Sequence, residues 1–322
     1  MIVAKTLDNE LLRGWVTLTV ALLFVALVPF VGPLVVVLTP LPVLYYASHL
    51  GRLRGFSVLA ASFLTSYGIL VILKQHINLP TLSMIAITGL LLSEVIKRNY
   101  SFEKTILTAS LLLFFCGSAF ILFGSWQADI APWKLIERYA AAVIKENMEL
   151  YSQLNISPEQ IKIIRENTPQ ITRFFAGVFP AVGISGSVLT VWANLLAGQM
   201  LFRIRKLSFP DFGDLSLWKA PEWLVWIFIA AGGMLFFPVE GLVIFGMNLL
   251  ILICMIYMFQ GLAIAAFFFR KKQVPRMFRF FFYGLIMIQQ YMLIIVVALG
   301  LFDLWVDFRK RIKDVNQADG NQ

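Results

Sequence analysis

The chain has 322 residues, 59% of them apolar and only 14% charged, with 29 Phe and a formal net charge of +9. An ordinary soluble domain carries roughly 25% charged residues. This composition excludes a disordered chain, a disulfide-stapled scaffold and a typical cytosolic enzyme, and it makes lipid the solvent for most of the chain.

Stretches free of Asp, Glu, Lys and Arg cover 14–51, 55–73, 75–93, 105–128, 174–202, 223–239, 241–269 and 280–302. A span needs about 20 apolar residues to cross the hydrocarbon. The first stretch is long enough for two helices, 12–29 and 34–50, with a turn at Pro29, Gly32 and Pro33. It far exceeds the apolar core of a cleaved leader, so it reads as structure. Helices at 55–73, 79–96 and 105–126 follow.

Residues 127–172 form the one sizeable loop. Trp133, Ile136, Ala140, Val143, Leu150 and Leu154 approximate a helical stripe over 132–154. Ser157-Pro158-Glu159-Gln160 predicts a helix start, and a short helix over 158–166 should end before Thr168-Pro169. Two readings stand for this pair: a lid over a site between helices, or a structural hairpin resting in the membrane interface. Asn155-Ile156-Ser157 matches a glycosylation sequon, which has meaning only in a secretory eukaryotic setting.

The sixth span is expected at 173–201, with small residues Ala181, Gly183, Ser185 and Ser187 spaced for close helix approach. The loop 202–221 mixes basic residues with Phe209, Phe212, Leu215 and Trp218, which suits a segment tucked against headgroups. Spans at 222–239, 242–269 and 278–303 complete an all-α, polytopic bundle of about nine helices, with eight as the alternative count. The chain is a single integral membrane domain. Within it lie a six-helix part (12–201), three C-terminal helices (222–303) and a tail (304–322) that is basic and then polar.

With the N-terminus cytoplasmic, the segments around 5–13, 52–54, 97–104, 203–219 and 270–279 collect 16 of the 27 Lys and Arg on the inside, as the positive-inside rule favours. The tail disagrees. Nine spans put Arg309, Lys310, Arg311 and Lys313 outside, so either the tail is an exception or a later span does not cross. The cluster Arg270–Arg279 sets orientation or engages anionic lipid. Seven of the eight Trp, all but Trp192, lie near span ends.

Enzymatic signatures are missing. The chain has no Gly-x-x-x-x-Gly-Lys loop, no His-Glu-x-x-His and no Gly-x-Ser-x-Gly. Its two histidines, His49 and His76, are far apart, and Cys116 and Cys254 sit in apolar runs as packing residues. No catalytic, cofactor-binding or metal-binding residue is expected. The polar groups at span depth are the informative ones, because lipid cannot satisfy them. They are Asn194, Asn248, Gln260, Gln289 and Gln290, with Glu94, Tyr45, Tyr46 and His49 nearer span ends. The five amides either line a polar pocket for a small molecule or hydrogen-bond between helices. Asp303 and Arg309 read as a helix-end ion pair.

Two stretches carry a resemblance. The first is Pro29-Phe30-Val31-Gly32, then Pro40-Leu41-Pro42, Gly51 and Gly55. The second is Phe259-Gln260-Gly261, then Gly300-Leu301-Phe302-Asp303, Trp305 and Phe308-Arg309. Together they resemble the YybS-like family of bacterial integral membrane proteins, whose function is unknown. That resemblance implies a bacterial inner (cytoplasmic) membrane protein and brings no substrate or catalytic residue. More loosely, the first six spans are similar to substrate-binding components of energy-coupling-factor transporters and to the rod-shape protein MreD. The first likeness implies metabolite capture with a separate ATPase, the second a scaffold. The three extra spans depart from both.

The expected function is therefore binding or helping to transport a small molecule, without enzymatic activity, at Asn194, Asn248, Gln260, Gln289 and Gln290. The alternative is a scaffold of a cell-envelope or division complex. A lipid-modifying enzyme is a third reading, weakened by the absence of buried acids, bases or metal ligands. Expected partners are membrane lipids, a small-molecule ligand and separate membrane or ATPase proteins, not nucleic acid.

Overall fold

The computed structural model describes residues 2–28, 33–75, 79–152 and 158–311, and among these the regular structure is entirely helical. The helices are α1 (Ile2–Leu27), α2 (Pro33–Leu38), α3 (Pro40–His49), α4 (Arg52–Ile72), α5 (Leu79–Ile96), α6 (Phe102–Gln127) and α7 (Pro132–Ser152). They continue with α8 (Pro158–Ile204), α9 (Leu224–Met234), α10 (Glu240–Lys271), α11 (Arg276–Ile288), α12 (Gln290–Val306) and α13 (Phe308–Arg311). A 3-10 turn, Leu215–Leu217, stands between α8 and α9.

Many helices end in the same way. Lys74, Asp129, Lys206 and Gln273 adopt positive φ near 50°, and paired backbone bonds close the last turn, as in Gln75 N–H to Leu70 O and Lys74 N–H to Val71 O. This satisfies carbonyls that would otherwise be orphaned where the chain leaves the helix. At the start of α6, Ser101 caps the N-terminus by accepting from the Lys104 N–H at 3.4 Å, with Glu103 in the first turn.

Among the described residues, six helices are long and apolar enough to cross a membrane: Asn9–Leu27, Arg52–Ile72, Leu79–Ile96, Phe102–Gln127, Lys162–Ile204 and Glu240–Lys271. The count rises to seven if α11 and α12 form one broken span. Exposed Leu64, Phe115 and Ile72 on their outer faces call for lipid rather than water.

Three expected spans take other forms. The stretch 34–50 is divided at Thr39 into α2 and α3, because Pro40 has no N–H to continue the ladder. The turn expected at Pro29 and Gly32 lies outside the described residues, though Pro33 does open α2. The stretch 222–239 is helical for 11 residues only; Gly232-Gly233 weakens the helix and Pro238 ends it. The stretch 278–303 bends by 107° where Gln289 takes extended backbone (φ −105°, ψ 105°). Neither proline nor glycine stands at that bend.

The long loop holds α7, close to its expected limits, but no helix ends before Pro169. Instead α8 runs on through Pro169 and Pro180 into the sixth span, 47 residues in all. Side chains supply some of the bonding near the first proline: Thr168 donates to Ile164 O at 2.8 Å and Asn167 to Ile163 O at 2.8 Å. Proline disfavours helix in the residue before it without forbidding it. On α7, Leu135 is buried against Gly124, while Trp133 and Val143 of the expected stripe are exposed. Leu154, Ser157 and the sequon lie outside the described residues, as do the side chains of Leu150 and Gln160.

The chain divides into two compact units, 1–136 with 186–211, and 137–185 with 212–322. In the first, α3 is threaded against α1, α4 and α5. Glycines permit the approach: a Cβ on Gly55 would lie 2.7 Å from Ala47 Cα, and one on Gly89 2.4 Å from Val43 Cβ. Leu18, Val43, Tyr46, Val58, Leu59 and Ala86 form its core. In the second, α10 packs against α9 and α12 around Leu224, Ile253 and Tyr257. There the backbones nearly touch, since a Cβ on Gly261 would lie 2.0 Å from Val296 O and one on Gly300 1.9 Å from Tyr257 O.

Candidate functional site

The first unit contains a cavity of ≈ 410 Å³ between the ends of α3, α5 and α8. Ser48 and His49 come from the last turn of α3 and Ile96, Lys97 and Asn99 from the end of α5. Phe202 of α8 and the segment Leu207–Pro210 complete it. The local sequence explains the arrangement. Asn99 and Lys206 take left-handed backbone (φ 49° and 55°), which stops α5 and α8 and turns polar loop residues back over the helix ends. Phe202 packs on Phe209, ring centroids 5.0 Å apart, and on Tyr45 at 5.7 Å; Tyr45 stacks on His49 at 5.6 Å.

Two of its lining residues, His49 and Lys97, face acids outside the lining. Glu94 pairs with Arg52 and with Lys97, the latter at 2.8 Å. His49 Nε2 lies 4.0 Å from Glu10, which also pairs with Arg13 at 3.2 Å. Arg98 donates to the Tyr100 hydroxyl at 3.4 Å, and this hydrogen bond holds the phenol below its ordinary pKa and the guanidinium above its own. The Ser48 hydroxyl is buried and has no hydrogen-bond partner among the described residues. The cavity thus combines the Lys97 ammonium and the His49 imidazole with an aromatic wall and the polar residues Asn99 and Ser208, at a volume within the range of small-molecule sites.

The second unit holds a buried polar network. Gln260 Oε1 accepts the Ala220 N–H at 3.1 Å, and Gln260 Nε2 donates to Asp303 Oδ2 at 3.0 Å. Asp303 also accepts the Phe308 N–H at 2.9 Å and meets Arg309 Nη1 at 3.4 Å. Arg309 Nη2 in turn donates to Trp218 O at 2.8 Å. Gln260, Asp303 and Arg309 are each at least nine-tenths buried. The network joins α10, α12, α13 and the segment before α9. The ion pair expected at Asp303 and Arg309 is present, and it is internal. Asp303 answers most of the donors around it, as a buried charge requires, while Arg309 Nε has no partner among the described residues.

The five amides singled out in the sequence fall in separate places. Asn194 belongs to the first unit, fully buried, and donates to Val37 O and to Thr190 O, each at 2.7 Å. Asn248 belongs to the second; it accepts the Ala181 N–H at 3.0 Å and donates to Gly177 O at 2.9 Å. Its amide therefore bridges one helical turn of α8 across Pro180. Gln260 serves the network above. Gln289 and Gln290 stand at the bend between α11 and α12 and are exposed. None of the five hydrogen-bonds to another among the described residues.

The cavity residues were only partly visible in the sequence. His49 stood out as a polar residue near a span end, Lys97 as an orienting charge and Phe209 as part of a segment expected against headgroups, but Ser48, Asn99 and Ser208 carried no signal of their own. Among the described residues no cluster of three His, Cys, Asp or Glu is placed to hold a metal ion.

A family model described as a predicted membrane protein (DUF2232) matches residues 16–304, and the chain belongs to that family. No curated protein and no solved structure matches it.

Proposed function

We propose that this member of the DUF2232 family binds a small anionic molecule in the cavity at the ends of α3, α5 and α8, as part of its uptake or export across a bacterial cytoplasmic membrane. The cavity carries the reading. Its rim carries the Lys97 ammonium and the His49 imidazole, and Arg52, Arg98 and Lys206 stand close by in the chain. Phe202 and Phe209 supply an apolar wall, and Ser48 and Asn99 supply hydrogen-bonding groups. The same end gathers most of the basic residues of the first unit, Lys74 and Lys134 apart, which supports a cytoplasmic orientation for it. In this reading the amides at Asn194, Asn248 and Gln260 fasten helices, and the ligand is held by the cavity.

The test is thermal unfolding of the purified protein against a panel of bacterial metabolites and vitamins rich in carboxylates and phosphates. A ligand at 100 times its dissociation constant stabilises the fold by about 2.7 kcal/mol. The expected result is a saturable rise with some anions that Lys97→Gln and Phe209→Ala abolish and Asn248→Leu preserves. A rise preserved in the cavity variants and lost in Asn248→Leu would place the ligand on the amides instead. No rise with any anion would favour the scaffold reading, and crosslinking in native membranes would then seek a stoichiometric partner.

A further inference from the structure

We infer that two basic stretches far apart in sequence, Arg270–Arg279 and Lys310–Arg311, form one surface in the second unit, and that this surface docks on anionic lipid headgroups. The segment between α8 and α9 brings them together. Its Asp214 pairs with Arg270 at the end of α10, 2.5 Å away. Five residues later Lys219 pairs with Asp307 at 3.5 Å, and the Trp218 carbonyl accepts Arg309. Five residues of extended chain reach at most about 18 Å, and the 3-10 turn within this piece shortens it. The end of α10 and the end of α12 are thus tethered to one short, charged, non-helical segment.

Non-helical backbone bearing charges is not tolerated in lipid-facing hydrocarbon, so this segment lies at one face of the membrane. The chain then leaves that face after Arg270 and returns to it by Asp307. Between them, α11 and α12 turn by 107° at Gln289. The geometry is that of a re-entrant V, with its tip at Gln289-Gln290 and its basic ends at the headgroups. The surface of α11 agrees: it has no buried residue, and Met277, Phe278, Phe280 and Phe281 are all exposed. Arg276 and Arg279 mark its headgroup end. Such a helix, exposed along its apolar length, suits contact with acyl chains from its headgroup end inward.

Charge selects the partner. Asp214 and Asp307 each answer a base, but Lys272, Arg276 and Arg311 are exposed and meet no acid among the described residues. A cationic surface of this kind, with Trp223 and Trp305 exposed in the same unit, is complementary to lipid phosphates bearing net negative charge. The arrangement also relieves the conflict between nine crossings and a basic tail, because it returns Arg309–Arg311 to the face that carries Arg270–Arg279.

The test compares the protein in nanodiscs of phosphatidylcholine with nanodiscs of phosphatidylcholine and phosphatidylglycerol in equal parts. The anionic discs should raise the unfolding temperature by a few degrees. The triple change Lys272→Gln, Arg276→Gln, Arg311→Gln should remove at least half of that increment and leave the value in neutral discs unchanged, which separates lipid docking from folding. Single changes Arg276→Gln and Arg311→Gln should each remove part of it. An increment that the triple change leaves intact would overturn the proposal. So would reporters fused after Gln322 and inserted at Gly213 that face opposite sides of the membrane.

Discussion

The two units differ in the kind of polar group they bury. In the first these are mostly neutral hydroxyls set on backbone carbonyls of their own helix or a neighbour: Ser62 donates to Val58 O at 2.8 Å and reaches Trp15 O at 3.1 Å, and Thr88 donates to Met84 O. Such groups carry no charge and rest on carbonyls that the helix ladder already serves, so packing there is set largely by apolar contact and by glycines that admit α3. In the second, buried polar groups reach between elements. Asn248 joins α10 to α8, while Gln260, Asp303 and Arg309 join α10, α12, α13 and the segment before α9. A neutral hydroxyl is cheap to remove; a shared buried charge is not, because its partner is stranded.

The sharpest way to break this contrast is Asp303→Leu, which leaves Arg309 buried without its anion. The expected cost is about 3–5 kcal/mol, seen as a large fall in unfolding temperature, and Asp303→Leu with Arg309→Met should recover much of it. If the single change is tolerated as easily as a hydroxyl deletion, the contrast fails.

Glycine substitutions sharpen the comparison next. Gly300→Ala drives a Cβ into the Tyr257 carbonyl at 1.9 Å, a backbone atom that cannot rotate away. Gly89→Ala meets the Val43 side chain at 2.4 Å and the Pro40 carbonyl at 2.9 Å. Overpacking costs about 1–3 kcal/mol, with Gly300 expected to be the worse of the two in the same unfolding assay. Asn248→Leu should cost about 0.6–2 kcal/mol, the range for hydrogen bonds between membrane helices. Ser62→Ala in the first unit should cost about 0.6 kcal/mol or less, and denaturant titration in detergent orders the two.

The smallest effect concerns pH. Lys310, by hydrogen bond, and Lys219, by charge, hold the Asp307 carboxyl below its ordinary value of 3.8 against a modest opposing effect of burial. A depressed folded-state pKa means a contribution that is complete above the ordinary carboxylate range and lost as pH falls through the folded value. Asp307→Asn tolerates the left-handed backbone at this position (φ 45°). The gap in unfolding temperature between wild type and Asp307→Asn should therefore be constant near neutrality and close in acid.

Much of the fold was legible in the residues because lipid is an exacting solvent. Charge-free runs of the right length located α4, α5, α6 and α10 within a few residues, since a backbone in hydrocarbon must bond to itself, and they found the end of α1, which begins ten residues before its expected start. The departures have local causes. Pro40 divided one run, Gly232-Gly233 with Pro238 shortened another, and Pro169 failed to stop α8. The bend at Gln289 had no marker, because a Gln pair in an apolar run looks the same in a straight helix and at a turn. For the candidate site, the amides could be seen but not their partners. An amide between helices and an amide facing a ligand have the same sequence signature, and only the position of Gly177 and Ala181 around Asn248 distinguishes them.

The sequence by itself determined the solvent, the helical class and the approximate place of most helices, because these depend on local composition and length. Tertiary structure alone decided which polar groups answer one another. Asp303 meets Gln260 across 43 positions and Arg309 meets Trp218 across 91. Such pairing follows from the approach of backbones at Gly261 and Gly300, and close approach is a property of two surfaces that no single stretch of sequence contains.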